Sequence, residues 1–303
     1  MFKPPQDAEI YIQLVLDRSR ELIESSIWQD LHVQRVTSWI ENFSESIDRY
    51  FAARILDSLI YRPLPQTKAL IDYLFVRALP EVTRNDALGA FCPDWVTSFL
   101  APTAHPCVRF IPVIRDIDPP TKSGPLVARM IARHLGISEC NMIWPWQIEK
   151  ALSAGVKIFV FLDDFLGTGN QFTKFCKSYK IQSFLSAAQF IYAPLVAHVM
   201  GVNAVKTYDN WIVLAHAELL DAGQELFSES CDCFEDDLNS REDARKYYDI
   251  LIDKIGLRSS LSERLWYGYG GLALAFSFSH ASPNNSLPLL WWRAENFVPL
   301  FDR

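Results

Sequence analysis

Two adjacent carboxylates followed closely by two glycines form the part of this sequence best suited to chemistry. Asp163 and Asp164 are trailed by Phe165, Leu166, Gly167, Thr168, Gly169, Asn170 and Gln171. Before the acids runs an unbroken apolar stretch, Ile158 to Leu162, which predicts a strand buried on both faces. After the loop, Phe172, Phe175, Cys176 and Tyr179 recur at helical spacing. Strand, acids, glycine loop and helix together predict an anion site at the carboxyl end of a parallel sheet. The loop amides and the helix N-terminus would point at a phosphate. Gly167 and Gly169 let the backbone come close to it.

Three familiar phosphate patterns do not fit. The P-loop needs two glycines with four residues between them, then Lys and Ser or Thr, and no such string occurs. The dinucleotide pattern needs a third glycine where Phe172 stands. A phosphatase-type pair of acids would need a carboxylate where Phe165 stands. The string Leu-Asp-Asp-Phe-Leu-Gly-Thr-Gly instead closely resembles the phosphoribosyl pyrophosphate (PRPP) motif of type I phosphoribosyltransferases.

That resemblance implies a ligand and roles. Asp163 and Asp164 would hold the ribose hydroxyls. Gly167, Thr168 and Gly169 would hold the 5′-phosphate, with Leu166, Asn170 and Gln171 counted beside them as ligand-binding residues. Asn170 and Gln171 depart from the small residue and hydroxyl usual in the family, although their amides still donate hydrogen bonds. Mg²⁺ is the implied cofactor, held at Asp163 and Asp164 directly or indirectly. The family keeps its pyrophosphate-gripping loop between an earlier strand and helix. By that position Arg115, Lys122, Ser123 and Gly124 are the pyrophosphate candidates, with Arg115 and Lys122 counted among the catalytic residues beside the two acids.

The elements that must position these groups follow from periodicity. Residues 8–25 predict a helix. Residues 31–61 carry apolar positions at three- and four-residue steps, with a break or cap at Ser44. A further helix, Thr67 to Leu79, is expected to stop at Pro80. Cys107 to Ile114 predicts a strand that Pro112 places near an edge. Pro125 suits the first turn of the helix that follows. Gln189 to His198 and Trp211 to His216 predict two more strands, with a short helix around Gly201 to Lys206 between them. Alternation of this kind implies a parallel sheet covered on both faces. The expected class is α/β, a parallel sheet of the type I phosphoribosyltransferase kind, with an N-terminal helical block and a C-terminal α+β extension. The expected division is a helical block at 1–90, the α/β core at 91–223, and 224–303 completing the core's domain. His198 and His216, at strand ends, read as structural residues.

The last third adds a helix, Leu238 to Ile255, behind an acidic run from Glu229 to Asp237 that reads as a solvated face. The tail joins a glycine-rich turn at Gly268, Gly270 and Gly271 to Pro283-Asn-Asn-Ser-Leu-Pro288 and to Trp291, Trp292, Phe297 and Phe301. These residues suit the lining of a nucleobase pocket and an ordinary C-terminal tie-down equally.

At 303 residues and 50% hydrophobic, the chain can bury a substantial core. A formal charge of −7 argues against a mainly electrostatic nucleic-acid binder. No apolar run reaches the length of about 18 residues that a membrane helix needs. With no signal-peptide core at the N-terminus, a cytoplasmic location is the default. The six cysteines, Cys92, Cys107, Cys140, Cys176, Cys231 and Cys233, lack zinc-like paired spacing and read as free thiols.

The helical front, the Asp-Asp motif and the tail together are similar to the phosphoribosyltransferase-like effectors of bacterial conflict systems. Some of these are encoded beside retron reverse transcriptases in anti-phage loci. This likeness implies PRPP or a nucleotide as ligand, with transfer or cleavage at ribose C1, or a nucleotide-depleting toxin. A catalytically silent PRPP- or nucleotide-binding regulatory module is the alternative. The implied partners are a retron reverse transcriptase with its DNA product and a winged-helix protein, with a homodimer as a further assembly and no membrane.

Overall fold

The computed structural model describes residues 1–83 and 95–303. In chain order the elements are α1 (Ala8–Glu24), α2 (Val33–Ile40), α3 (Ser46–Asp57), β1 (Ile60–Arg62), α4 (Leu64–Tyr73), α5 (Leu79–Val82), β2 (Val108–Pro112), α6 (Ser123–Leu135), α7 (Ile148–Ser153), β3 (Ile158–Leu166), α8 (Asn170–Ser178), β4 (Gln189–His198), α9 (Val199–Tyr208), β5 (Val213–Leu214), β6 (Glu218–Leu220), α10 (Arg241–Lys254) and β7 (Phe276–Phe278). Contacts along the chain separate two units. One is Met1–Gln66 with Asp221–Arg303, and the other is Thr67–Leu220. The sequence division at 90 and 223 joined the C-terminal segment to the α/β core, whereas the contacts group it with the N-terminal helices.

Thr67–Leu220 holds the α/β core. Its sheet runs in the order β2-β3-β4-β5, with β6 continuing alongside β4, and every pairing is parallel. Pro112 lies at the end of β2, the edge strand, where a missing N–H is tolerated. On one face, Phe172 and Phe175 of α8 and Val202 and Val205 of α9 pack with Phe161 and Phe190. On the other, Phe110 meets Phe75 at 5.7 Å and Phe99 at 5.1 Å, and α6 lies across β2 and β3. The strands are therefore covered on both sides, which is why they read as unbroken apolar runs.

Three expectations shift here. The helix at Pro80 does not stop: Leu74–Ala78 forms a π turn and α5 continues through the proline. The wider turn accommodates a residue that has no N–H to give. The strand expected at Trp211–His216 shrinks to Val213–Leu214. The run Ile158–Leu162 extends four residues further, through both aspartates, to Leu166.

In the other unit, α2 and α3 separate at the break expected near Ser44. β1 pairs in parallel with β7, Ile60 opposite Phe276. Phe51 stacks on Phe234 at 4.5 Å, and the Trp39 indole donates to the Leu289 carbonyl at 2.7 Å. The tail is a tie-down. Asn285 donates its amide to the Tyr269 carbonyl at 2.7 Å, Ser286 its hydroxyl to Phe276 at 2.6 Å, and Trp291 its indole N–H to Ser286 at 3.0 Å. A side chain at Gly268 would meet the Asn285 carbonyl oxygen at 2.2 Å, so the turn and the loop close directly on each other. Within the acidic run, Glu229, Asp232 and Asp237 are exposed as expected. Asp236 is exposed too, and it also accepts from the amides of Leu238 and Asn239 at 2.8 Å each and pairs with Arg54. Cys107, Cys140, Cys176, Cys231 and Cys233 are free thiols, and Cys92 lies outside the described residues. Among the described residues no helix is long and apolar enough to cross a membrane.

Candidate functional site

Because β3 continues to Leu166, the two acids sit within a paired strand and not beyond its end. Asp163 is opposite Pro194 of β4, and Leu166 is opposite Ala197. Successive side chains of a strand point to opposite faces. The two side chains therefore leave the strand on different faces, yet their carboxyl groups remain close enough to interact with each other.

Asp163 turns into the face packed by α8 and is 1% exposed. It accepts a hydrogen bond from the Tyr192 hydroxyl at 3.0 Å, and the Tyr192 ring stacks flat on Phe172 at 3.7 Å. Burial, and then the neighbouring charge of Asp164, push the Asp163 carboxyl well above the usual carboxylate range. Asp164 turns to the α6 face and keeps 8% of its surface. It accepts from the Ser123 hydroxyl at 2.9 Å and from its neighbour's amide, that of Phe165, at 2.9 Å.

The loop that follows is fixed by its glycines. Gly169 adopts φ +80° and caps α8, a conformation that other residues take only at a cost. Gly167 is buried under α9: a side chain added at Gly201 would stand 2.4 Å from the Gly167 carbonyl oxygen and 2.8 Å from Leu166. Thr168 is half-buried, while Asn170 and Gln171 are exposed at the first turn of α8. The amides of Gly167, Thr168 and Gly169 donate to no other described residue. They leave a set of N–H groups beside a helix N-terminus, the arrangement that receives an anion.

The β2–α6 connection closes over this loop. Lys122 donates its ammonium to the Gln171 side-chain oxygen at 3.0 Å. At the far end of α8, the Asp116 amide donates to the Tyr179 hydroxyl at 2.9 Å. Gly124 lets α6 start hard against β2, since a side chain there would meet the Val113 carbonyl oxygen at 2.8 Å. Arg115 is engaged elsewhere: its guanidinium pairs with Asp118 at 2.6 Å, and its amide donates to the same carboxylate at 3.0 Å. The side-chain hydrogen bonds that Arg115 donates to Asp118 hold it more firmly in its charged form.

The fold thus brings together Asp164, Lys122, Ser123 and the stretch from Gly167 to Gln171, with Gly124 and Leu166 as their close-packed supports. Asp163 is buried beside them, its carboxyl still interacting with that of Asp164, and the Arg115 guanidinium is turned onto Asp118. His198 caps α9 by accepting from the Met200 amide at 3.2 Å. His216 is held below the usual histidine range by burial and then by Lys206. Sequence reasoning missed Tyr192, Asp118 and Gly201. Asp118 stands three residues after Arg115, and that spacing was a usable signal. Tyr192 and Gly201 carried none, because each is defined by a neighbour distant in sequence.

Among the described residues no three His, Cys, Asp or Glu groups converge as a metal site. One rim carboxylate, Asp164, suits Mg²⁺ nonetheless, because that ion commonly takes one or two carboxylates together with a substrate's phosphates and water.

A family model, PRTase-CE, matches residues 36–303, taking in every group named at this site. The chain belongs to the PRTase-CE family. Neither the curated proteins nor the solved structures yield a match. Membership of PRTase-CE makes the chain phosphoribosyltransferase-like, and the parallel α/β sheet agrees with that description. The PRTase-CE match covers the glycine loop and the tail alike, while α1 precedes it.

Proposed function

We propose that the carboxyl edge of the β2–β3–β4 sheet binds PRPP or a nucleotide and that the chain transfers or cleaves at C1 of the ribose. The observation that carries this reading is the meeting of Asp164, Ser123 and Lys122 beside the free amides of Gly167, Thr168 and Gly169. The amides and the start of α8 take the 5′-phosphate. Asp164 accepts from the ribose hydroxyls, and Ser123 orients it. Lys122 leaves Gln171 to contact the pyrophosphate as a point charge. Mg²⁺, held by Asp164 and the ligand's own oxygens, would neutralise charge on the leaving pyrophosphate.

In the reaction the bond from C1 to the pyrophosphate oxygen breaks, and its electron pair leaves with pyrophosphate. Positive charge builds on the ribose ring, and the Asp164 carboxylate favours it. A nucleobase nitrogen or a water oxygen then bonds to C1 and sheds its proton. Asp163, buried and bonded to Tyr192, supports the strand and does not touch the sugar in this scheme.

Two observations favour a second reading, a module that binds without turnover. Asp163 is buried and its carboxyl is pushed towards the protonated, neutral form, and Arg115 is paired with Asp118. Both remove a charge that the type I pattern would place at the ligand.

The biological setting rests on the resemblance of the helical front, the acid pair and the tail to retron-associated anti-phage effectors. In that setting the chain is an effector restrained by a reverse transcriptase with its DNA product and a winged-helix protein. Co-purification of the full chain with such partners, against the chain expressed alone, tests it. Absence of any complex would remove the retron assignment and leave the ligand site standing.

Calorimetry with PRPP and Mg²⁺, with pyrophosphate assayed in the same samples, tests the site. Binding that Asp164→Asn weakens, with pyrophosphate released in the presence of a nucleobase, supports the enzyme. Binding with no pyrophosphate across an acceptor screen selects the module. No binding of PRPP or of nucleotides rejects both.

A further inference from the structure

A second concavity lies at the end of α8 remote from the glycine loop. It is a cavity of about 370 Å³, within the range of roughly 300–1,000 Å³ usual for small-molecule sites. Thr173, Lys177 and Lys180 form one wall, and Tyr208, Asp209 and Trp211 the other. The scheme above uses none of them.

The chemistry of the lining is selective. Asp209 is 6% exposed, and the Thr173 hydroxyl donates to its carboxylate at 2.8 Å. A carboxylate offers about four lone-pair positions. Thr173 is the one side-chain donor that Asp209 has among the described residues, so a nearly buried acid lines the cavity with acceptor capacity left over. Trp211 stands edge-on to Phe190, with ring centres 6.3 Å apart, which fixes the indole in the wall. Lys177 and Lys180 are exposed and form no ion pair with another described residue. Two available cations, two aromatic rings and a buried acceptor suit a ligand with an anion at one end and a planar, hydrogen-bond-donating ring at the other.

We propose that this cavity binds a nucleoside monophosphate. Lys177 and Lys180 hold the phosphate, Trp211 and Tyr208 lie against the base, and Asp209 accepts from the ribose hydroxyls or an exocyclic amine. The site is separate from the glycine loop, but the same helix, α8, runs from one to the other.

The test titrates AMP, GMP, CMP and UMP one at a time into the full chain by calorimetry. Wild type is compared with Lys177→Ala/Lys180→Ala and with Asp164→Asn, and circular dichroism verifies that each variant is folded. At least one nucleotide is expected to bind wild type. The double lysine variant should bind it about tenfold more weakly or worse, and Asp164→Asn within about twofold of wild type. The matching nucleoside, lacking phosphate, should also bind about tenfold more weakly. No binding by any nucleotide overturns the proposal. So does binding that survives the lysine changes when PRPP already saturates the glycine loop, or binding lost in Asp164→Asn, which would place the ligand at the glycine loop. PRPP titrated into the lysine variant separates the two sites: an unchanged affinity there keeps the glycine-loop reading intact whatever becomes of this one.

Discussion

The hydroxyl of Ser123 donates to the carboxylate of Asp164 at 2.9 Å across 41 residues of sequence. This bond joins the start of α6 to the end of β3 and makes one rim from two connections. Asp164→Asn keeps the shape of the contact and removes the charge. A hydrogen bond to a charged group contributes about 1.5–3 kcal/mol, so PRPP affinity should fall roughly ten- to a hundredfold. Ser123→Ala should cost only a few fold. Calorimetry distinguishes the two, and equal losses would mean that Asp164 acts through its geometry and not its charge.

Asp163 should behave in the opposite way. Its folded-state pKa lies above its unfolded one, so the native state keeps a proton that the unfolded chain releases. The stabilisation is complete below the ordinary value of 3.8 and declines as pH rises through the raised folded value. Asparagine at this position carries no charge to bury. Urea unfolding between pH 4.5 and 8 should therefore show Asp163→Asn gaining on wild type as pH increases, with PRPP affinity little changed. A variant that stays stable but no longer binds PRPP would return Asp163 to the ligand.

Tyr192→Phe removes the hydroxyl that donates to Asp163. Leaving a buried polar group without its partner costs about 1–3 kcal/mol. Denaturant unfolding should register that loss, with the stacking on Phe172 preserved in the aromatic circular dichroism.

Arg115 and Asp118 form a pair that can be opened. Asp118→Asn should free the guanidinium and raise affinity for pyrophosphate a few fold, more so at low salt. Arg115→Ala should cancel the gain in the Asp118→Asn background while changing little alone. A double-mutant cycle checks this, and additive effects would exclude Arg115 as a pyrophosphate contact.

Gly201→Ala should disturb a loop it does not belong to. The added carbon would press on the Gly167 carbonyl and on Leu166. Forced overpacking costs about 1–3 kcal/mol, measurable by denaturant unfolding, and PRPP binding should weaken with it. Unaltered binding and stability would show that α9 can draw back from the loop.

The strand, glycine loop and α8 were legible in the sequence because each leaves a local mark: a run of Ile158 to Leu162 with no polar break, two glycines, and Phe172 and Phe175 at helical spacing. The end of β3 was not legible. Two aspartates look like a turn, and only the pairing with β4, Asp163 opposite Pro194, holds them in a strand. Convergence of Lys122, Ser123 and Asp164 was anticipated by position in the family pattern, while the diversion of Arg115 depended on a side-chain choice that spacing alone leaves open. The grouping of the tail with the N-terminal helices rests on contacts such as β1 beside β7, and no short window of residues records a pairing of that range.

The fit of Gly201 over Gly167 has a consequence for inheritance. A carbonyl oxygen occupies the space that any other side chain at 201 would need. The two positions are therefore a single locus in practice: drift at one is tolerated only after a compensating retreat at the other.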